Sequence, residues 1–171
     1  KEIVNSLKGF AQSDTGKMDE RVDINSVVNS SIFILNALLK TETHSFAVHI
    51  DDSVEPIKGN FLQLEQVVIN LLSNACQSTP AGNGNVTIVT WYDSVEGTVG
   101  IDVEDDGVGI VEIDLDKICD PFYTTKRESG GTGLGLSISY GIVKAHGGRL
   151  EINSSLGHGT SARIVLPVSG D

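Results

Sequence analysis

The sequence predicts an α/β fold, a two-layer sandwich with helices packed on one face of a mixed β-sheet. Three observations carry that expectation. Two segments, Ile24 to Leu39 and Asn60 to Ser78, repeat apolar residues at helical spacing, and a third runs from Leu134 to Ala145. The stretches "NVTIVTWYD" and "TVGIDVED" alternate around the turn "SVEG", as a strand pair does. "RLEINS" and "TSARIVLP" then make a final hairpin around "SLGHG". This order of elements fits one covered sheet face better than a doubly wound sheet.

In chain order, residues 1–12, "KEIVNSLKGFAQ", read as the tail of a helix, and residues 13–22 as a polar linker ending at a helix cap, Asp23. The first full helix places Ile24, Val27, Val28, Ile32, Leu35, Leu38 and Leu39 at helical spacing. "SFAVHI" and "EPIKG" follow as short strands. In the next helix Leu64, Val67, Val68, Leu71, Leu72 and Ala75 form one stripe, and Pro80 with "AGNGN" closes it. An irregular stretch separates the central strand pair from the last helix. One domain over residues 23–168 with a tail at 169–171 accounts for the chain, without repeats or low-complexity tracts.

Composition narrows the functional classes. A chain of 171 residues suits one domain with a real core, and 39% hydrophobic with 20% charged residues is ordinary for a globular protein. No apolar run approaches the ~20 residues of a membrane span, so no direct membrane contact is expected of this segment. Net charge is −11 and the longest basic run is Lys126-Arg127, which argues against nucleic acid as a partner. Cys76 and Cys119 have no CxxC and no histidine at ligand spacing, so both read as reduced core residues in a cytoplasmic setting. The opening in mid-helix, with no signal peptide, suggests a piece of a longer protein.

Three stretches carry chemistry. On the second helix Gln66, Asn70, Asn74 and Gln77 form a polar stripe beside the apolar one. Asparagine costs a helix up to about 0.7 kcal/mol relative to alanine, so Asn70 and Asn74 one turn apart are either a solvated face or a pair of hard amide oxygens for Mg²⁺ or phosphate. In "VEDDGVGI" a strand ends in two carboxylates and runs into Gly107 and Gly109, which permit close backbone approach. Asp102, Glu104, Asp106 and Gly107 imitate a calcium loop only in part: its third position is Glu104 and its twelfth Ile113, so a plain turn is the alternative. In "ESGGTGLGLS" the glycines at 130, 131, 133 and 135 precede a helix, where exposed N–H groups and the helix dipole hold phosphate. A flexible hinge is the plain alternative there, and neither standard phosphate-loop motif matches.

Together, "QVVINLLSNA", "DDGVGI", "DPFYTTK" and "GGTGLGLS" resemble the asparagine, first glycine, phenylalanine and second glycine boxes of the catalytic ATP-binding domain of sensor histidine kinases. That domain belongs to the wider superfamily of gyrase, chaperone and histidine-kinase ATPases and has the Bergerat-type ATP-binding fold. The likeness covers roughly Asp23 to Val168, and the short "RESG" resembles the nitrogen-regulator type with a brief lid. The resemblance implies ATP and Mg²⁺ as cofactors. Asn74 would coordinate Mg²⁺, with Asn70 in support. Asp105 would accept from the adenine amine, assisted by Thr160 through water. Gly107, Gly109 and Ile110 would shape the base end. Lys126 and the backbone of Gly131, Thr132, Gly133, Leu134, Gly135 and Leu136 would hold the β- and γ-phosphates. Asn70, Asn74 and Lys126 are the implied catalytic set.

The family's acceptor is a histidine on a dimerising helical hairpin, and none of His44, His49, His146 or His158 has that context. His146, before Gly147 and Gly148, reads as a dipole partner at a helix end. Residues 1–12 resemble the last turns of the missing hairpin. The implied partners are that hairpin and a response regulator, and the implied activity is ATP-dependent phosphorylation of a histidine. A nucleotide-dependent interaction module without phosphotransfer is the alternative. Asn70 stands where gyrase and chaperone relatives carry a hydrolytic glutamate, so hydrolysis is disfavoured. Asp106 stands where the family often has asparagine and would add negative charge near the site. The lid, from Asp114 to Gly131, has few expected anchors besides Leu115, Ile118 and Phe122.

Overall fold

The computed structural model describes residues 18–80, 83–124 and 132–168. Their elements are β1 (Glu20–Val22), α1 (Ile24–Glu42), β2 (Thr43–His49), β3 (Ile57–Gly59), α2 (Phe61–Ser78), β4 (Gly84–Asp93), β5 (Thr98–Asp105), α3 (Glu112–Leu115), α4 (Gly135–Ala145), β6 (Arg149–Ser154) and β7 (Thr160–Pro167). Five strands form one sheet in the order β2-β4-β5-β7-β6, and β1 pairs with β3 as a separate ribbon. β2 runs parallel to β4, while the other three pairings are antiparallel, so the sheet is mixed as expected. The fold is the expected helices-on-sheet α/β sandwich.

Period-two alternation sorts the strands into two faces. Val86 and Ile88, Val99, Ile101 and Val103, and Ala162, Ile164 and Leu166 meet the apolar stripe of α2 in one core. Each valine, isoleucine or leucine so buried contributes about 1.5–3 kcal/mol. The other face is closed by charge. Asp102 is buried there, accepting from Trp91 Nε1 at 3.0 Å and from Arg163 Nε at 2.9 Å and Nη2 at 2.6 Å. Gly100 makes room for the Trp91 ring, which a Cβ would approach to 2.1 Å. Each buried carboxylate oxygen is thus matched by donors.

The helix ends follow their capping residues. Asp23 accepts from the N–H groups of Asn25 and Ser26 at 3.2 and 3.1 Å, and Asn60 Oδ1 from Gln63 N at 3.0 Å. At the end of α4, Gly147 takes φ +71°, and the bonds Gly147 N to Lys144 O and Gly148 N to Val143 O close a Schellman motif.

Three local features differ from expectation. The linker reading of residues 13–22 meets a strand: Glu20, Arg21 and Val22 pair with Gly59, Lys58 and Ile57. Three residues with one apolar side chain carry no period, and the partner strand is remote in sequence. The irregular stretch contains the short helix α3, which has no side-chain cap to announce it. His146 is buried and joins two helices: Nδ1 bonds Ile142 O at 2.8 Å, and Nε2 accepts from Asn60 N at 2.9 Å. It therefore serves the carbonyls of α4 as expected, and also completes the cap of α2. Residues 1–12 lie outside the described residues.

His146→Ala strands the Asn60 N–H in a buried setting, so unfolding free energy should fall by about 1–3 kcal/mol. Urea titration checks it, and an unchanged midpoint would remove His146 as a structural link.

Candidate functional site

The polar stripe of α2 does not face bulk solvent along its whole length. Gln66 and Gln77 are exposed, whereas Asn70 and Asn74 are half-buried and line a cavity of ≈ 350 Å³ between α2, the sheet and the start of α4. Asn70 Nδ2 donates to Ser139 Oγ on α4 at 3.0 Å. Its carbonyl oxygen is then turned towards Gly135, where an added Cβ would come within 2.2 Å of Oδ1. Ser139 is the residue that sequence reasoning missed here. It is buried, and the two serines of this helix, Ser137 and Ser139, carry no pattern that marks one of them.

α4 begins without a side-chain cap, its N-cap being Leu134. Thr132, Gly133, Gly135 and Leu136 line the cavity at this end, so unpartnered N–H donors of the first turn lie beside it. Leu134 is buried and is not among the lining residues. Lys126 and Gly131 lie outside the described residues. Gly133 takes φ +67°, and its carbonyl accepts the Phe122 N–H at 2.8 Å.

At the opposite end the two aspartates of "EDDG" part. Asp105 closes β5 and lines the cavity, its Oδ1 accepting from Gly107 N at 2.9 Å. Asp106 points away and binds the start of β4, accepting from Asn85 N at 2.7 Å and from the Asn85 side chain. Those bonds hold its pKa below the usual carboxylate value, the backbone one foremost. The charge expected to crowd the site is therefore committed to Asn85. Gly107 and Gly109 act through the backbone without lining the cavity. A Cβ at Gly107 would meet Ser78 O at 2.3 Å, and Val108 N donates to that carbonyl at 2.9 Å.

Ile110, Ile118, Val103, Ile152 and Ala162 make the apolar wall, and Thr160 completes it beside Asp105. Val103, Ile152 and Ala162 went unremarked in the sequence, although strand alternation puts them on the side of Asp105 and Thr160. Among the described lining residues Asp105 alone is charged. Of the expected lid anchors, Ile118 is buried and Leu115 half-buried, but Phe122 is 60% exposed. Its φ of +68° swings the side chain outward, a conformation kept by the bond to Gly133. Tyr123 is tied to Asp114, which raises the phenol's pKa.

Among the described residues no three His, Cys, Asp or Glu side chains converge on a metal position. A cation here would rest on amide oxygens and on phosphates of its ligand, an arrangement that suits Mg²⁺. Asn70 fits that donor set, since Ser139 fixes its amide with the oxygen free of the helix pairing. No described helix is long and apolar enough to cross a membrane.

Comparison with known proteins bears on family and fold. The family model described as histidine kinase-, DNA gyrase B-, and HSP90-like ATPase matches residues 59–170. Sporulation kinase E of Bacillus subtilis (strain 168) is 37% identical over 151 residues, covering 88% of this chain and 20% of that protein. The signal transduction histidine-protein kinase AtoS of Escherichia coli (strain K12) is 34% identical over 150 residues, covering 88% and 24%. The chain thus spans about a quarter or less of these curated relatives. Among solved structures, the mycobacterial sensor histidine kinase MprB superposes with TM-score 0.73 at 27% identity, over 87% of this chain and 97% of that one. The catalytic domain of histidine kinase ThkA gives TM-score 0.76 at 25% identity, over 88% and 98%.

Gly135→Ala should force the Asn70 amide off Ser139. We expect nucleotide affinity to fall about 10-fold or more, by the loss of one well-placed bond, while the thermal midpoint stays within a few degrees. Calorimetric titration and melting of the variant check this, and full affinity would show that the Asn70 orientation is dispensable.

Proposed function

The chain belongs to the histidine kinase-, DNA gyrase B- and HSP90-like ATPase family, and from that premise we propose that it binds Mg-ATP and donates the γ-phosphoryl group to a histidine on a separate helical hairpin. This is the role of a protein-histidine kinase in two-component signalling, with a response regulator downstream and the segment in the cytoplasm. The observation that carries the reading is the division of one cavity into unlike ends. Asp105 stands near Ser78, at the end of α2, and Asn70 lies eight residues earlier on that helix, about 12 Å away at 1.5 Å per residue. An extended ligand with a hydrogen-bond donor at one end and anionic oxygens at the other suits that separation.

Each end has its chemistry. The Asp105 carboxylate accepts from the exocyclic amine of adenine, while Ile110, Ile152 and Ala162 enclose the base. Asn74 and Asn70 would hold Mg²⁺, which when bound neutralises charge on the phosphate oxygens. The N–H groups at the start of α4 and the side chain of Lys126 hold the terminal phosphates. Transfer then breaks the bond between the γ-phosphorus and its bridging oxygen as a nitrogen of the acceptor imidazole bonds to phosphorus, and ADP departs. The chain contributes position and charge neutralisation, the main terms in phosphoryl transfer.

Two measurements test the reading. A charge-assisted hydrogen bond is worth about 1.5–3 kcal/mol, so Asp105→Ala should weaken ATP binding roughly 10- to 150-fold, while Asp106→Asn leaves it unchanged. The isolated chain should bind ATP with little hydrolysis, and mixing it with the hairpin and radiolabelled ATP should give an acid-labile, base-stable phosphoprotein. Binding without any labelled hairpin would favour the interaction module, and an acid-stable product would point to a hydroxyl acceptor.

A further inference from the structure

We propose that Ser154 is a positioning residue that fixes which hydrogen-bonding edge Thr160 turns to the bound base, and so sharpens discrimination between adenine and guanine. The proposal rests on the reading of Asp105 and Thr160 as the base end of the cavity. Strand register aligns the three residues: Asp105 on β5 pairs with Thr160 on β7, and Thr160 pairs with Ser154 on β6. All three therefore lie on one face of the sheet.

The Ser154 hydroxyl sits at the centre of a proton count. Its oxygen lies 2.7 Å from Gly159 O, 2.9 Å from Ile110 N and 3.0 Å from Thr160 Oγ1. A serine hydroxyl has one proton and two lone pairs. A carbonyl oxygen can only accept, so the proton goes to Gly159. The Ile110 amide can only donate, so it occupies one lone pair. The contact with Thr160 then has a single solution, in which Thr160 donates and Ser154 accepts.

The Thr160 proton is thereby spent on its neighbour, leaving lone pairs for the cavity that Thr160 lines together with Asp105. Asp105 is an acceptor as well. The base end offers acceptors, and an edge that reaches it must donate, directly or through water. The exocyclic amine of adenine does so. Guanine presents a carbonyl there, which a freely rotating threonine hydroxyl could satisfy and a committed one cannot.

The surrounding backbone resists rearrangement of this count. Gly159, at φ +77°, packs so closely that a Cβ would come within 1.9 Å of Asp105 O, and one on Gly109, at φ +69°, within 2.0 Å of Ser155 O. Gly157 N donates to Val108 O at 2.8 Å. The loop after β5 and the turn between β6 and β7 thus meet backbone to backbone, with the Ser154 hydroxyl bridging them.

The test is calorimetric titration of Mg-ATP and Mg-GTP into the chain and into Ser154→Ala, Ser154→Thr, Thr160→Val and the Ser154→Ala/Thr160→Val pair. Ser154→Ala should reduce the preference for ATP over GTP by about 3- to 10-fold, the worth of one hydrogen bond. Ser154→Thr keeps the hydroxyl and should keep the preference. In the Thr160→Val background Ser154→Ala should change the preference no further. Equal weakening of both nucleotides by Ser154→Ala, or the same shift in preference with and without the Thr160 hydroxyl, would overturn the proposal. Should Ser154→Ala fail to fold, Thr160→Val alone decides, since an unaltered preference there leaves Ser154 nothing to position. The base reading fails separately, through an Asp105→Ala variant that binds ATP like the parent chain.

Discussion

Everything in this molecule depends on the register of α2 against the sheet. One stripe of the helix supplies Leu64, Val67, Val68, Leu71, Leu72 and Ala75 to the core, and the neighbouring stripe carries Asn70 and Asn74 to the cavity. The two are inseparable, because rotating the helix to move an amide would withdraw buried methyl groups from the strands. Dense packing therefore does the positioning that a flexible loop could not. The asparagines forgo some helix propensity, a few tenths of a kcal/mol each, and the core beside them covers that loss many times over.

A second device recurs at both ends of the cavity. Two cavity-lining side chains are each set by a partner on a neighbouring element: Asn70 by Ser139 of α4, and Thr160 by Ser154 of β6. A serine is suited to this, since one short hydroxyl adds a directed bond without filling space. The glycines serve the same closeness. Gly135 leaves room for the Asn70 amide, and Gly107 lets the loop after β5 lie on the last carbonyls of α2.

Most of the fold was legible in the sequence because its elements are long and periodic. Every residue assigned to the apolar stripe of α2 is buried, and strands β4 to β7 fall where alternation put them. What escaped notice was short or remote: β1 exists through pairing with β3, and α3 spans four residues without a cap. For the site, the amides and Asp105 announced themselves by breaking local rules, as polar residues in a helix and a carboxylate before glycines. Ser139 and Ser154 break none. Their importance lies in what they touch, which only the folded chain discloses. Asp106 shows the same limit: it lies just past the end of β5 and turns to Asn85, a pairing that the sequence does not display.

The overall charge of −11 makes the chain a poor long-range attractor of a polyanion. On the function proposed above, affinity for a triphosphate would be built at short range, from backbone N–H groups at the start of α4 and amide oxygens able to carry a cation. Commitment of Asp106 to Asn85 keeps one carboxylate out of that space, and Asp102 is neutralised on the far face by Arg163. Among the described lining residues Asp105 is the one charge, and it lies at the end where the proposed ligand brings a donor. Short-range arrangement of this kind would select a ligand that the net charge alone would turn away.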